Sequence, residues 1–158
     1  MGSLTQEEAN TLIQLSKYLL NPHAFHFPAQ SETRVYPLRY ARQETNKQDM
    51  DISLYRGKKN AQKVSYRLLY RGNIVLVRVD LGDLSRHTNP DGSVIPPNTP
   101  HIHIYDQQHE DRVALPLPKE FQDSSDIYQT FRDFLSFSHV INIGELEIQE
   151  QGVLFDAD

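Results

Sequence analysis

The chain has 158 residues and a mass of 18.3 kDa, a length that suits one domain with its own apolar core. It contains no cysteine, which excludes a disulfide scaffold, a thiolate metal centre, an iron–sulfur cluster and a cysteine nucleophile. The net charge of −5 hides an asymmetry, because residues 34–86 carry 12 Lys/Arg against 5 Asp/Glu and the remainder carries 4 against 16. This distribution predicts a basic working face on an otherwise acidic protein.

In chain order, residues 5–20 read as a helix. Thr5 and Glu8 have capping-box spacing, Leu12, Ile13, Leu15, Leu19 and Leu20 form a broad apolar stripe, and Asn21-Pro22 ends it. Residues 21–31 read as a loop whose Phe25 and Phe27 cover the core. Strands are expected at 35–41, where Pro37 suggests an edge, at 51–56 and at 63–71. Gly72-Asn73 is a two-residue hairpin signal. It would set Arg71 against Ile74, Tyr70 against Val75, Leu68 against Val77, Arg67 against Arg78 and Tyr66 against Val79. Alternation then sends Val64, Tyr66, Leu68, Tyr70, Val75, Val77, Val79 and Leu81 to the core. The opposite face receives Arg67, Arg71, Arg78, Leu69, Leu76 and Asp80.

Arg67 directly opposite Arg78 is unfavourable unless Asp80 on the diagonal, another carboxylate or a bound anion compensates. With Arg71, the two therefore form a candidate phosphate clamp, since a guanidinium offers a planar fork to phosphate. Residues 82–100 look like a long loop with an Asn89-Pro90-Asp91-Gly92 turn, and a long loop in a compact domain is often functional. Short strands follow at 101–105 and 112–117. A helix capped by Ser124 or Ser125 should run to about Ser138 with Ile127, Phe131, Phe134 and Leu135 inward. A last strand is expected at 140–148, with an acidic, frayed tail over 149–158. The resulting class is α+β: a single domain over 1–158, with an antiparallel sheet and an N-terminal and a C-terminal helix.

The chemistry concentrates in three histidines, His87, His101 and His103. His101 and His103 are two apart on a strand and share a face, opposite Ile102 and Ile104. Such a pair suits acid–base catalysis on a phosphodiester, with arginine steadying the developing charge. It equally suits a metal, with His87, Asp106 or His109 as a third ligand. No phosphate-binding P-loop, dinucleotide glycine fingerprint or nucleophile elbow is present.

The stretch Tyr66–Asp80, then His87-Thr88-Asn89-Pro90-Asp91-Gly92, Pro100-His101-Ile102-His103-Ile104-Tyr105 and Leu115-Pro116-Leu117 resembles an uncharacterised family of small proteins of bacteria and their mobile elements. More loosely, the order helix, antiparallel strands and late His-x-His is similar to the barnase–EndoU–colicin–RelE-like endoribonuclease toxins. That similarity implies metal-free RNA cleavage, with His101 and His103 matching the motif. His87 and the arginines match it in kind.

Three readings stand open. The first is a toxin-like endoribonuclease without a cofactor. In it His87, His101 and His103 act as acid and base, Tyr105 positions a group, and Arg67, Arg71 and Arg78 hold phosphate. Its partners would be RNA and a cognate antitoxin. The second is a non-catalytic interaction or inhibitor protein of a mobile element. The third is a zinc- or manganese-dependent hydrolase with His87, His101 and His103 as ligands. No apolar run approaches the roughly 18 residues of a membrane span and no leader opens the chain, so a cytoplasmic protein with no membrane partner is expected.

Overall fold

A computed structural model describes residues 4–40 and 49–150. The elements run α1 (Gln6–Gln14), β1 (Lys17–Leu19), β2 (Phe25–Phe27), β3 (Thr33–Tyr40), β4 (Met50–Arg56), β5 (Val64–Tyr70) and β6 (Ile74–Leu81). They continue with β7 (His87–Thr88), β8 (Val94–Ile95), β9 (His101–Ile104), β10 (Ala114–Pro116), α2 (Ile127–Phe137) and β11 (Ile148–Glu150). Seven strands form one antiparallel sheet in the order β1-β3-β4-β5-β6-β9-β10. β2 and β11 pair in parallel, and β7 and β8 form a separate small hairpin. The fold is α+β. Among the described residues no helix is long and apolar enough to cross a membrane.

One face of the sheet is the core. Ile52, Leu54, Tyr66, Leu68, Val77, Val79 and Ile102 are fully buried there. They share one apolar cluster with Ala9 and Ile13 of α1 and Ile127, Phe131, Phe134 and Leu135 of α2. Tyr66 is satisfied within this core, since its hydroxyl donates to the Ile127 carbonyl at 2.7 Å and its ring lies 5.1 Å from Phe131. Phe25 and Phe27 are buried as expected, but from β2 rather than a loop.

The first helix is shorter than its apolar stripe predicts. Thr5 and Glu8 do form the capping box. The chain leaves the helix after Gln14, and Lys17–Leu19 becomes the edge strand, bonded to Leu38–Tyr40. Leu19 is buried and Leu20 is exposed. The alternation buried–exposed–buried over 17–19 suits a strand as well as the spacing suits a helix, and pairing with β3 decides it. β1 covers only Leu38–Tyr40 of β3, so Pro37 pairs with β4 on one side and, among the described residues, with no strand on the other, the edge position its residue type suggests. The strand end expected at Ala41 lies outside the described residues, as do residues 151–158 of the acidic tail.

The central hairpin keeps the expected register through Leu68↔Val77, Arg67↔Arg78 and Tyr66↔Val79. Its tip differs by one residue. Tyr70 faces Ile74 and Leu69 faces Val75, around a three-residue turn in which Arg71 takes φ 55° and Gly72 φ 78°. A bulge at Leu76 absorbs the difference, so Leu76 is fully buried and Val75 only half-buried, the reverse of strict alternation. Asp126, not Ser124 or Ser125, caps α2, accepting from the backbone N–H groups of Tyr128 and Gln129. The last strand begins at Ile148. Val140 instead makes an isolated parallel bridge to Lys17, and 143–145 is a 3-10 turn.

Candidate functional site

Residues opposite one another in a sheet project from the same face. Register therefore dictates two polar rows across the side away from the helices. One runs Ser53, Arg67, Arg78, His103; the next runs Tyr55, Ser65, Asp80, His101. The His-x-His of β9 thus faces the Arg-x-Asp of β6 pair for pair.

At this junction the side chains close into one group. The Asp80 Oδ2 atom lies 3.0 Å from Arg78 Nε, 3.3 Å from His101 Nε2 and 3.4 Å from His103 Nε2. Arg78 uses its whole fork: Nε donates to Asp80, Nη1 to Asp111 at 3.1 Å and Nη2 to His103 Nε2 at 2.9 Å. Two carboxylates therefore neutralise Arg78, which answers the clash with Arg67. Arg67 is exposed and makes no hydrogen bond or ion pair with a described residue.

The protonation states follow from the partners. Guanidinium only donates, so His103 Nε2 must accept, and the proton sits on Nδ1, which is buried without a partner. His101 has an acceptor at each nitrogen, the Thr99 carbonyl at Nδ1 (2.8 Å) and Asp80 at Nε2. Burial disfavours its charged form. The Asp80 and Thr99 contacts and the charge of Asp83 outweigh that, and its pKa lies above the ordinary histidine value. Burial raises the Asp80 carboxyl, yet the His101 N–H and the Arg78 charge hold it far below the usual range.

His87 joins the group from above. Residues 82–100 are not structureless: β7 and β8 pair across the Asn89-Pro90-Asp91-Gly92 turn, with Gly92 at φ 92°. The Asn89 amide pins this hairpin to the sheet, accepting from the Ala114 N–H at 2.7 Å and donating to the Ala114 carbonyl at 2.9 Å. The His87 ring then sits 6.2 Å from that of His101 and 5.2 Å from that of His103, themselves 5.1 Å apart. The hairpin covers the pair instead of leaving it open, and His101 and His103 are 3% and 1% exposed while His87 is half-exposed. His87 Nε2 donates to the Arg112 carbonyl at 2.9 Å, which leaves the Nδ1 lone pair for a proton. Asn89→Ala should cost about 1–3 kcal/mol by stranding both Ala114 groups, read by thermal denaturation. A loss of only a few tenths would show that the hairpin is held by something else.

The other expected site residues lie apart. The Tyr105 hydroxyl is committed to Leu4, donating to its carbonyl at 2.8 Å and accepting from its N–H at 3.0 Å. It ties down the start of α1. Arg71 stands at the hairpin tip with its guanidinium 4.9 Å from the Tyr70 ring, six positions along from Ser65, the register mate of Asp80. Asp106 and His109 bond each other at 2.9 Å. Of the proposed metal ligands, His101 and His103 do present donor atoms together, but Asp80 stands where His87 was expected. Those three donors lie within 4.8 Å of one another. Asp111 carries no motif. Asp80 is marked by its place diagonal to the Arg67–Arg78 pair and by the period-two match of Arg78-Val79-Asp80 to His101-Ile102-His103, and Asn89 reads only as part of the Asn89-Pro90-Asp91-Gly92 turn.

A family described as a family of unknown function (DUF6978) matches residues 4–140. No curated protein and no solved structure matches the chain.

Proposed function

The chain belongs to this family of unknown function, and we propose that it is a metal-independent endoribonuclease working at the junction of β6, β9 and the β7–β8 hairpin. The observation that carries the reading is the convergence of three imidazoles, with centroids 5.1–6.2 Å apart, on an arginine held in a fixed orientation. His87 is the base: it is half-exposed, and its Nδ1 can take the proton of a ribose 2′-hydroxyl. The 2′-oxygen then attacks the neighbouring phosphorus and the bond to the 5′-oxygen breaks. His101, whose contacts with Asp80 and Thr99 favour its protonated form, supplies the proton to that leaving oxygen. The products are a 2′,3′-cyclic phosphate and a 5′-hydroxyl. Arg78 opposes the charge gathering on the phosphoryl oxygens, and His103 keeps it aimed. Arg67, exposed one strand away, meets the phosphate next along the chain.

The test is incubation of purified protein with total cellular RNA, with and without EDTA. Cleavage should survive EDTA and leave cyclic-phosphate ends. His87→Ala should lower the rate by about 10²–10⁴, and a His101→Ala/His103→Ala double variant should be inactive while its circular dichroism stays native. No cleavage by the wild type, or wild-type rates in both variants, overturns the reading.

A further inference from the structure

We propose that Asp80, His101 and His103 also form a zinc site, which the metal enters only by displacing the Arg78 guanidinium, so that zinc and arginine compete for the same lone pairs. The spacing supports it. A tetrahedral zinc with bonds of about 2.0–2.1 Å places its ligand atoms about 3.3–3.4 Å apart. Asp80 Oδ2 lies 3.3 Å from His101 Nε2 and 3.4 Å from His103 Nε2. Two imidazole nitrogens and one carboxylate oxygen are a donor set zinc accepts.

The surroundings are those of an oriented metal ligand set. His101 Nδ1 donates to the Thr99 carbonyl, which fixes the ring and aims Nε2 at Asp80. Metal-bound histidines are commonly held in this way. All three donors belong to residues at most 8% exposed and sit on neighbouring paired strands, so their separation is set by sheet register and not by loop conformation.

Arg78 now occupies the cation position. Its Nε and Nη2 donate to Asp80 Oδ2 and His103 Nε2, two of the three lone pairs zinc would need; the third, on His101 Nε2, holds a proton facing Asp80, which zinc binding would release to solvent. The third nitrogen, Nη1, is bonded outward to Asp111. The side chains of Arg78 and Asp111 are 22% and 30% exposed, so the arginine has a route to withdraw toward solvent while keeping that second carboxylate. Occupancy would therefore exchange one resident cation for another. It would also remove the charge that the ribonuclease reading places on the phosphate. Binding stands on the geometry alone; inhibition of cleavage rests on the proposed activity.

The experiment is calorimetric titration of the full-length protein with zinc chloride, without RNA. The wild type should take up one zinc ion. Arg78→Met should bind it at least tenfold tighter, because the competing cation is gone. His101→Ala should bind at least tenfold weaker. His23→Ala, which alters the exposed His23–Glu147 contact, should leave the affinity unchanged. Equal or weaker binding by a folded Arg78→Met, or unchanged binding by His101→Ala, overturns the proposal. Because Arg78→Met leaves Asp80 short of a partner and could unfold, cobalt(II) added to the wild type gives a second readout. The strong visible absorption of four-coordinate cobalt is expected, and its absence also overturns the site. Since no RNA is present, these outcomes are separate from failure of the cleavage assay. If the protein both cleaves RNA and binds zinc, added zinc should inhibit cleavage in wild type and EDTA should restore it.

Discussion

Asp80→Ala is expected to remove about 3–5 kcal/mol of folding stability, the usual cost of deleting one partner from a buried charge cluster. A single oxygen of Asp80 faces Arg78, His101 and His103 at 3.0–3.4 Å, and the residue is 8% exposed. Without it, the Arg78 guanidinium and the His101 N–H lose their shared acceptor in a buried space, with Asp111 as the remaining carboxylate on Arg78. Domains are commonly stable by about 5–15 kcal/mol, so this one change removes a large share of the total. Urea denaturation of wild type and variant measures it. A loss under about 1 kcal/mol would show that solvent or neighbouring groups take over the role of Asp80.

Lys17→Met should be comparably damaging, by about 3 kcal/mol or more, through three carbonyls left without donors. Lys17 is fully buried, and its ammonium donates to Ile13 O, Leu15 O and Ser138 O at 2.7–2.8 Å. It closes the C-terminal ends of α1 and α2 together. No carboxylate pairs with it among these contacts, and burial pushes its pKa down to about 7 from 10.5. The unfolded chain therefore binds more protons than the folded one between about pH 7 and 10.5. Wild-type stability should rise with pH across that window relative to Lys17→Met, with a slope of at most about 1.4 kcal/mol per pH unit. Paired denaturation curves at pH 7 and pH 9.5 decide the point. A difference that does not change with pH would mean that the three carbonyls hold the lysine fully charged.

The body of the β5–β6 hairpin is legible in the sequence because alternation over Val64–Tyr70 and Ile74–Leu81 leaves one register that buries the apolar set. The tip is not, because Arg71 adopts a left-handed conformation that its residue type does not announce. The shared face of His101 and His103 follows from strand geometry alone. Their contact with Asp80 and Arg78 does not, since it depends on β9 pairing with β6 across a connection of 19 residues. The position of His87 is harder still. It depends on Asn89 reaching Ala114, 25 residues away, and nothing local marks that asparagine as a clamp instead of a turn former. The first helix misleads for another reason. Leucines at positions 15, 19 and 20 fit a helical stripe, and the competing strand is stabilised by β3, which local spacing cannot see.

Asn142 carries a consequence for the order in which the chain assembles. Its side chain accepts from the Leu19 N–H and donates to the Leu19 carbonyl, both at 2.9 Å and across 123 residues. The Lys17 ammonium reaches Ser138 across 121, and β2 takes β11 as its parallel neighbour. During synthesis, the segment from Lys17 to Phe27 emerges early and waits for residues 138–150 before its backbone is satisfied. Closing such long loops is entropically slow. The segment from Lys17 to Phe27 is thus among the last to be locked, although it is made well before its partners, and the central hairpin, with its local pairing, is free to form long before it.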